Sequence, residues 1–189
     1  MRIRRLASPI VALALAALAC DGAAEEPTYQ LVARAGDTFV GLVADGGVVD
    51  IYVCDGTPSG GTIAAWLDGT HSGGTFEAVG DKVDVHLAGT FDETSLTATL
   101  TLEDGTKVEI SGGHPGGDDG LYVDVQGDFK GGWLMIEGEQ RGAVISRPTG
   151  SLVSGSSFNP STSAVTVMDT ATELAGLTFT PTLLLRPLD

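Results

Sequence analysis

Turn signals punctuate this chain at intervals of about ten residues. They fall at Asp45-Gly46-Gly47, Asp55-Gly56, Asp68-Gly69, Gly73-Gly74, Gly80-Asp81, Asp104-Gly105, Gly112-Gly113, Gly127-Asp128 and Gly138. Segments that short cannot hold a helix of three turns, and none of them has a helical period. They carry instead the two-residue alternation of half-buried strands. In "DKVDVHLAG", Val83, Val85 and Leu87 alternate with Asp84 and His86. In "SLTATLTLEDGTKVEI", Leu96, Ala98, Leu100 and Leu102 face one way and the threonines the other, Asp104-Gly105 makes a tight hairpin, and Val108 and Ile110 return. Runs of the same kind span residues 38–44, 48–54, 62–67, 121–125 and 133–136. Strands joined by such short turns pair sequentially and antiparallel, and a meander must close or stack to hide its edges. The expectation is an all-β domain: an antiparallel meander of about 8–10 short strands closing into an up-and-down barrel. The alternative is a two-sheet β-sandwich. The 27 glycines suit corner bends as well as turns.

The ends read differently. Arg2, Arg4 and Arg5 precede an apolar stretch from Leu6 to Ala19, the pattern of a secretory signal peptide. The stretch falls short of the roughly 20 apolar residues that span a bilayer. Ala17-Leu18-Ala19-Cys20 resembles a bacterial lipobox, which implies a lipidated Cys20 at the start of the mature chain. Asp21, just after it, resembles a retention signal for the inner membrane. The expected organisation is a signal peptide at 1–19, an acidic tether at 20–28 and a single β domain at 29–189. Residues 146–163, "SRPTGSLVSGSSFNPSTS", read as a long loop within that domain. "AVTVMD" and "LTFTPTLLL" then return to strand character, with Pro181 placing the last strand at an edge or bend. The expected location is outside the cytoplasm, anchored to the outer face of a bacterial membrane: the periplasmic side of the inner membrane or the cell surface.

Charge limits the partners. The chain carries −15. Without the three arginines of the signal, 7 basic residues face 25 acidic ones, a net −18. Nucleic acid requires a basic face and is excluded, as is charge attraction to anionic lipid headgroups. A strongly acidic surface keeps an exported protein soluble and monomeric.

Five runs in order extend the reading: "FVGLVADGGVVDIYVCDG", "IAAWLDG", "LTATLTLEDGTKVEI", "GLYVDV" and "GGWLMIEGEQRGAV", with the tail "LTFTPT". Across residues 36–182 this succession resembles an uncharacterised β-rich extracytoplasmic module of exported or membrane-anchored proteins of high-GC bacteria. The resemblance implies extracytoplasmic β structure and supplies no catalytic residue. Where that module has an arginine after the tyrosine of its A-G-L-Y-R run, this chain has Val123.

Candidate chemistry is sparse. If Cys20 is lipidated, Cys54 has no partner for a disulfide, and it closes a strand beside Tyr52 and Asp55. His71, His86 and His114 have no metal-ligand spacing, and His86 alternates outward with Asp84. The loop "GGHPGGDDG" gathers His114, Asp118 and Asp119, whose hard oxygen ligands suit Ca²⁺. No G-x-S-x-G nucleophile elbow occurs, and "GTPSGGT" lacks the lysine of a phosphate loop. No cofactor is implied, and the chain does not read as an enzyme. Trp66 is out of phase with Ile63, Ala65 and Leu67. If those aliphatics fill the core, it faces a partner or ligand; in the reverse phase it is core. Two functions follow. One is a surface interaction or structural module of the cell envelope, meeting a protein or wall polymer. The other is a barrel binding a small molecule or Ca²⁺, with Trp66, Trp133 and Tyr52 as lining and Ala65, Ala88 and Ala98 leaving room inside.

Overall fold

The structure, a computed structural model, describes residues 27–167 and 172–188. The expected signal peptide, the lipidation site at Cys20 and the tether up to residue 26 lie outside the described residues.

Eight strands close into an antiparallel barrel: β1 (Tyr29–Ala35), β2 (Thr38–Asp45), β3 (Val48–Cys54), β4 (Ala64–Ser72), β5 (Thr75–Gly80), β6 (His86–Phe91), β7 (Ser95–Thr101) and β8 (Lys107–Gly113). Each pairs with the next, and β8 closes onto β1 through Val32↔Gly113, Ala33↔Gly112 and Arg34↔Ser111. Closure bends the strands sharply, and glycine makes the bends possible. A Cβ at Gly69 would lie 2.1 Å from the Glu77 carbonyl oxygen, and one at Gly89 2.2 Å from that of Thr97.

The alternation sets the two faces. Leu31, Val40, Leu42, Ile51, Val53, Leu67, Leu87, Leu96, Leu100 and Ile110 point inward and, with Phe76 and Phe91, fill the interior. Outside β7 and β8 the partners are polar, such as Thr99 donating to Glu109 at 3.0 Å. Over β7 and β8 the inside is apolar and the outside polar, the reverse of the pattern of a membrane-spanning barrel. No helix among the described residues is long and apolar enough to cross a membrane.

The meander stops closing on itself after β8. A second, curled sheet follows, built from β9 (Gly120–Gln126), β10 (Phe129–Ile136), β11 (Glu139–Ser146), β12 (Leu152–Asn159), β13 (Ala164–Val167) and β14 (Thr182–Leu183). Its order is β13-β12-β11-β10-β9-β14. Strands β9 to β11 pack on the outside of β1 to β4. That contact buries β2 and β3 on both faces: Val40 and Val53 point into the barrel, while Phe39, Val43, Tyr52 and Cys54 point into the seam against Leu121, Leu134, Ala143 and Ile145. Ion pairs rim the seam, Arg34 to Glu137 at 2.9 Å and Arg141 to Asp37 at 2.6 Å.

Several expectations need correction. The meander closes into an eight-stranded barrel as expected, but six further strands among the described residues form a second sheet, which covers the apolar outer face of β2 and β3. The stretch 146–163 is not one long loop: residues 152–159 are β12. Its small residues are there for close packing. Ser156 is buried and accepts the Trp133 indole N–H at 3.0 Å, and a Cβ at Gly155 would meet the Thr57 carbonyl oxygen at 2.1 Å. Val83 and Val85 precede β6 instead of belonging to it. Ala65 and Ala98 do face the interior, but Ala88, opposite Glu77 and Thr99, does not. The last strand pairs with β9 and sits at the edge of the sheet after Pro181.

Candidate functional site

The barrel interior is a core, not a cup, since apolar side chains fill it. Trp66, Tyr52 and Trp133 therefore line no barrel cavity, and the structure divides them. Trp133 lies on the far face of the second sheet, packed with Val144, Phe158, Leu174 and Phe179. Tyr52 and Trp66 are cross-strand partners on the outer face of β3 and β4, with ring centroids 4.7 Å apart. Both turn into the seam because Ile51, Val53, Ala65 and Leu67, one residue out of phase, take the interior positions.

Tyr52 is fully buried, and its hydroxyl donates to the Ala143 carbonyl at 3.4 Å. Burial pushes its phenol well above the ordinary value of 10.0. Gly132 leaves the room its ring occupies: a Cβ there would lie 2.6 Å from two ring carbons. Cys54 is sealed in the same layer, its Sγ accepting the Gly56 N–H at 3.0 Å, and burial pushes its thiol up to about 11. A thiol held protonated and covered is no nucleophile.

Trp66 marks the open end of the seam. Beside it lies a cleft of about 420 Å³ lined by Trp66, Asp68, Lys82, Lys130 and Arg147 among others. Lys130, on β10, stands with Nζ 3.6 Å from the centroid of the Trp66 ring. Its neighbours across the seam are Asp50 and Asp68, which face each other on β3 and β4. Burial pulls the Lys130 amine from the ordinary 10.5 to about 8, against the upward influence of the two carboxyls and with Arg147 adding repulsion. Asp50 is itself buried, and burial raises its carboxyl. The Leu188 N–H, donated to Oδ2, opposes that rise, and Asp68 reinforces it. The Trp66 indole nitrogen is buried and has no hydrogen-bond partner among the described residues.

The cleft adjoins a second hollow of about 500 Å³, and the two share Ala65, Val83 and Gly150 as a common wall. Ile63, Val85, Leu102 and Leu152 give the second hollow its apolar side. Asp55 shapes its entrance by accepting from the Thr62 and Ile63 backbone N–H groups at 2.7 and 2.9 Å.

The other expected site does not assemble. His114, Asp118 and Asp119 form no group able to hold a metal ion. The Asp119 carboxylate accepts the Glu137 backbone N–H at 3.0 Å, and the Asp118 carbonyl accepts the Tyr122 hydroxyl at 2.9 Å. His114 borders a separate hollow near Tyr29 and Leu185. A further hollow at that end of the barrel, beside Tyr29, His71 and Phe91, is edged by Asp92, whose Oδ1 accepts from Thr94 and Ser95.

Reasoning from sequence missed Lys130 and Asp50. Each had a signal: a single charge inside an otherwise apolar strand, "VVDIYVC" and "FKGGWLMI". A charge at a buried position requires a partner or a purpose. No family model matches the chain, and neither the curated proteins nor the solved structures contain a match to it.

Proposed function

We propose that this protein is a lipid-anchored, non-enzymatic binding module of the bacterial cell envelope, which meets its partner or ligand at the seam cleft. The cleft carries this reading. It is the place where the second sheet, having covered β2 and β3, leaves a desolvated lysine and an indole facing an open hollow. Its position fits an anchored protein. The chain enters the barrel at Tyr29, at the end formed by the turns before Val48, Thr75 and Ser95. The cleft and its neighbour lie toward the opposite end, around residues 62–65, 81–85 and 102–104. A lipid on Cys20 would leave that end facing away from the membrane. The acidic balance of the chain keeps such a module off the anionic headgroups.

The experiment is metabolic labelling with an alkynyl palmitate in a bacterial host that processes lipoproteins. The expected result is a labelled chain in the membrane fraction, and loss of label and release from the membrane in Cys20→Ser. An unlabelled wild-type chain in the soluble fraction overturns the reading.

A further inference from the structure

We infer that the seam groove holds a small amphipathic anion, its carboxylate on the Lys130 ammonium and its short apolar chain along Val83, Val85 and Leu102. The inference rests on the binding-module reading above and names the ligand class of the same cleft.

The first support is an unmet requirement. Buried charges are paired or hydrogen-bonded, because water no longer solvates them. Among the described residues Arg34 pairs with Glu137 and Glu139, Lys82 with Asp81, Arg141 with Asp37, and Arg186 with Asp45 at 3.7 Å. Arg147 donates to the Gly127 carbonyl at 3.1 Å, and Lys107 is exposed to water. Lys130 differs from all of these. It is half-buried, its Nζ lies against the face of an indole, and no oxygen of the described residues lies within hydrogen-bonding or ion-pairing distance of that Nζ. The ring face satisfies part of a cation's field but accepts none of its three N–H donors.

The second support is the state of the surrounding charges. Asp50 on β3 is committed to the Leu188 N–H and to Asp68 on β4. Asp81, between β5 and β6, is committed to Lys82. Asp128, in the turn between β9 and β10, is exposed at the rim of the cleft. Arg147, after β11, adds positive potential. Asp68, Asp81 and Asp128 also line the cleft, but none of them comes within ion-pairing distance of the Lys130 Nζ, whose three donors remain open to a ligand acceptor. A charge-assisted hydrogen bond from a ligand carboxylate is the strong way to supply one.

The third support is shape. Past the shared wall of Ala65, Val83 and Gly150 the surface turns apolar along Val85, Leu102 and Leu152. A head on Lys130 thus leads a tail onto hydrocarbon, whose burial adds about 0.8 kcal/mol per methylene.

The test uses the exported full chain carrying Cys20→Ser, titrated at pH 7 with sodium octanoate and read by tryptophan fluorescence, Trp66 being the indole beside the cleft. Sodium acetate supplies the head alone, 1-octanol the tail alone, and octyltrimethylammonium the tail with the wrong sign. The expected result is saturable binding of octanoate, at least tenfold weaker binding of each control, and weakening as the pH rises past 8, where Lys130 loses its proton. Lys130→Met loses at least tenfold and Lys130→Arg restores binding. Val83→Glu, which leaves Lys130 in place, weakens octanoate without affecting acetate. A cooperative melting transition at or above the parent's temperature certifies each variant as folded. No saturable response to octanoate, equal binding of octanol, or unchanged binding by folded Lys130→Met overturns the inference. Such a failure leaves the palmitate result standing, so the two readings fail separately.

Discussion

Replacing Gly132 with alanine tests how tightly the two sheets are fitted. The new Cβ would lie 2.6 Å from Cε1 and Cζ of Tyr52 and 2.9 Å from Cδ1. Ordinary contact requires about 3.5 Å or more, so the ring or the strand must move by nearly an ångström. The ring has no free side. Tyr52 is fully buried, stacks on Trp66 at 4.7 Å and is tied by its hydroxyl to Ala143. Overpacking of this kind costs about 1–3 kcal/mol. The substitution also stiffens the unfolded chain, which offsets about 0.4–1 kcal/mol. The net expectation is a loss of about 1–2 kcal/mol, or a drop in melting temperature of roughly 2–8 °C for a domain of this size. Urea unfolding of the four members of a double-mutant cycle with Tyr52→Ala isolates the cause. Tyr52→Ala alone costs about 3–5 kcal/mol, and in that background Gly132→Ala is neutral or stabilising because its methyl enters vacated space. If Gly132→Ala costs the same in both backgrounds, the clash with Tyr52 is not the reason, and the packing described for the seam is wrong.

Three further outcomes are expected. Cys54, held protonated up to about pH 11, resists thiol reagents at pH 8 in the folded chain and reacts on unfolding. Because its folded value lies above its unfolded one, the associated stability is intact below about pH 9 and is lost as pH rises toward 11, a decline that Cys54→Ala reduces. Lys130 has the opposite sign: its folded value lies below its unfolded one, so it costs stability at neutral pH and the cost disappears between about pH 8 and 10.5. Lys130→Met is accordingly more stable than the parent by roughly 1–3 kcal/mol at pH 7, with the gain shrinking toward pH 10 in urea titrations. Asp55→Ala removes the acceptor of two backbone N–H groups and the Thr62 hydroxyl, and costs about 1–3 kcal/mol by the same assay.

The barrel was legible in the sequence because its strands have one wet face. Leu96, Ala98 and Leu100 alternate with threonines, and the hairpin at Asp104-Gly105 forms where its turn residues place it, with the Thr106 N–H donating to Asp104 at 2.8 Å. The second sheet was less legible. In β2 and β3 both faces are buried, so the alternation is lost, and a continuous apolar run such as "FVGLVA" reveals burial without revealing what covers it. In β12 the central residues, Ser154 to Ser157, are serine and glycine, small enough for close approach to Trp133 and to the 57–60 turn, and composition alone reads them as loop. For the site, sequence singled out Trp66 and Tyr52 and left open whether Trp66 faces outward or lines the barrel, because phase alone does not say which side of β4 is the core. Lys130 could not be paired with them, since nothing local to "DFKGGW" tells which strand of another sheet it will face. The His114 loop misled for a related reason: proximity in sequence brought three ligand residues together that the fold turns to separate surroundings.

The most direct measurement is a ¹H–¹⁵N correlation map of the exported chain carrying Cys20→Ser, recorded with and without saturating octanoate. The account expects the largest shifts at the Trp66 indole and the backbone of Lys130, Val83 and Leu102, with the amides of Tyr29, Phe91 and His114 unmoved. Shifts concentrated instead around Tyr29, His71 and Phe91 at the other end of the barrel, or spread through the interior strands, would contradict it.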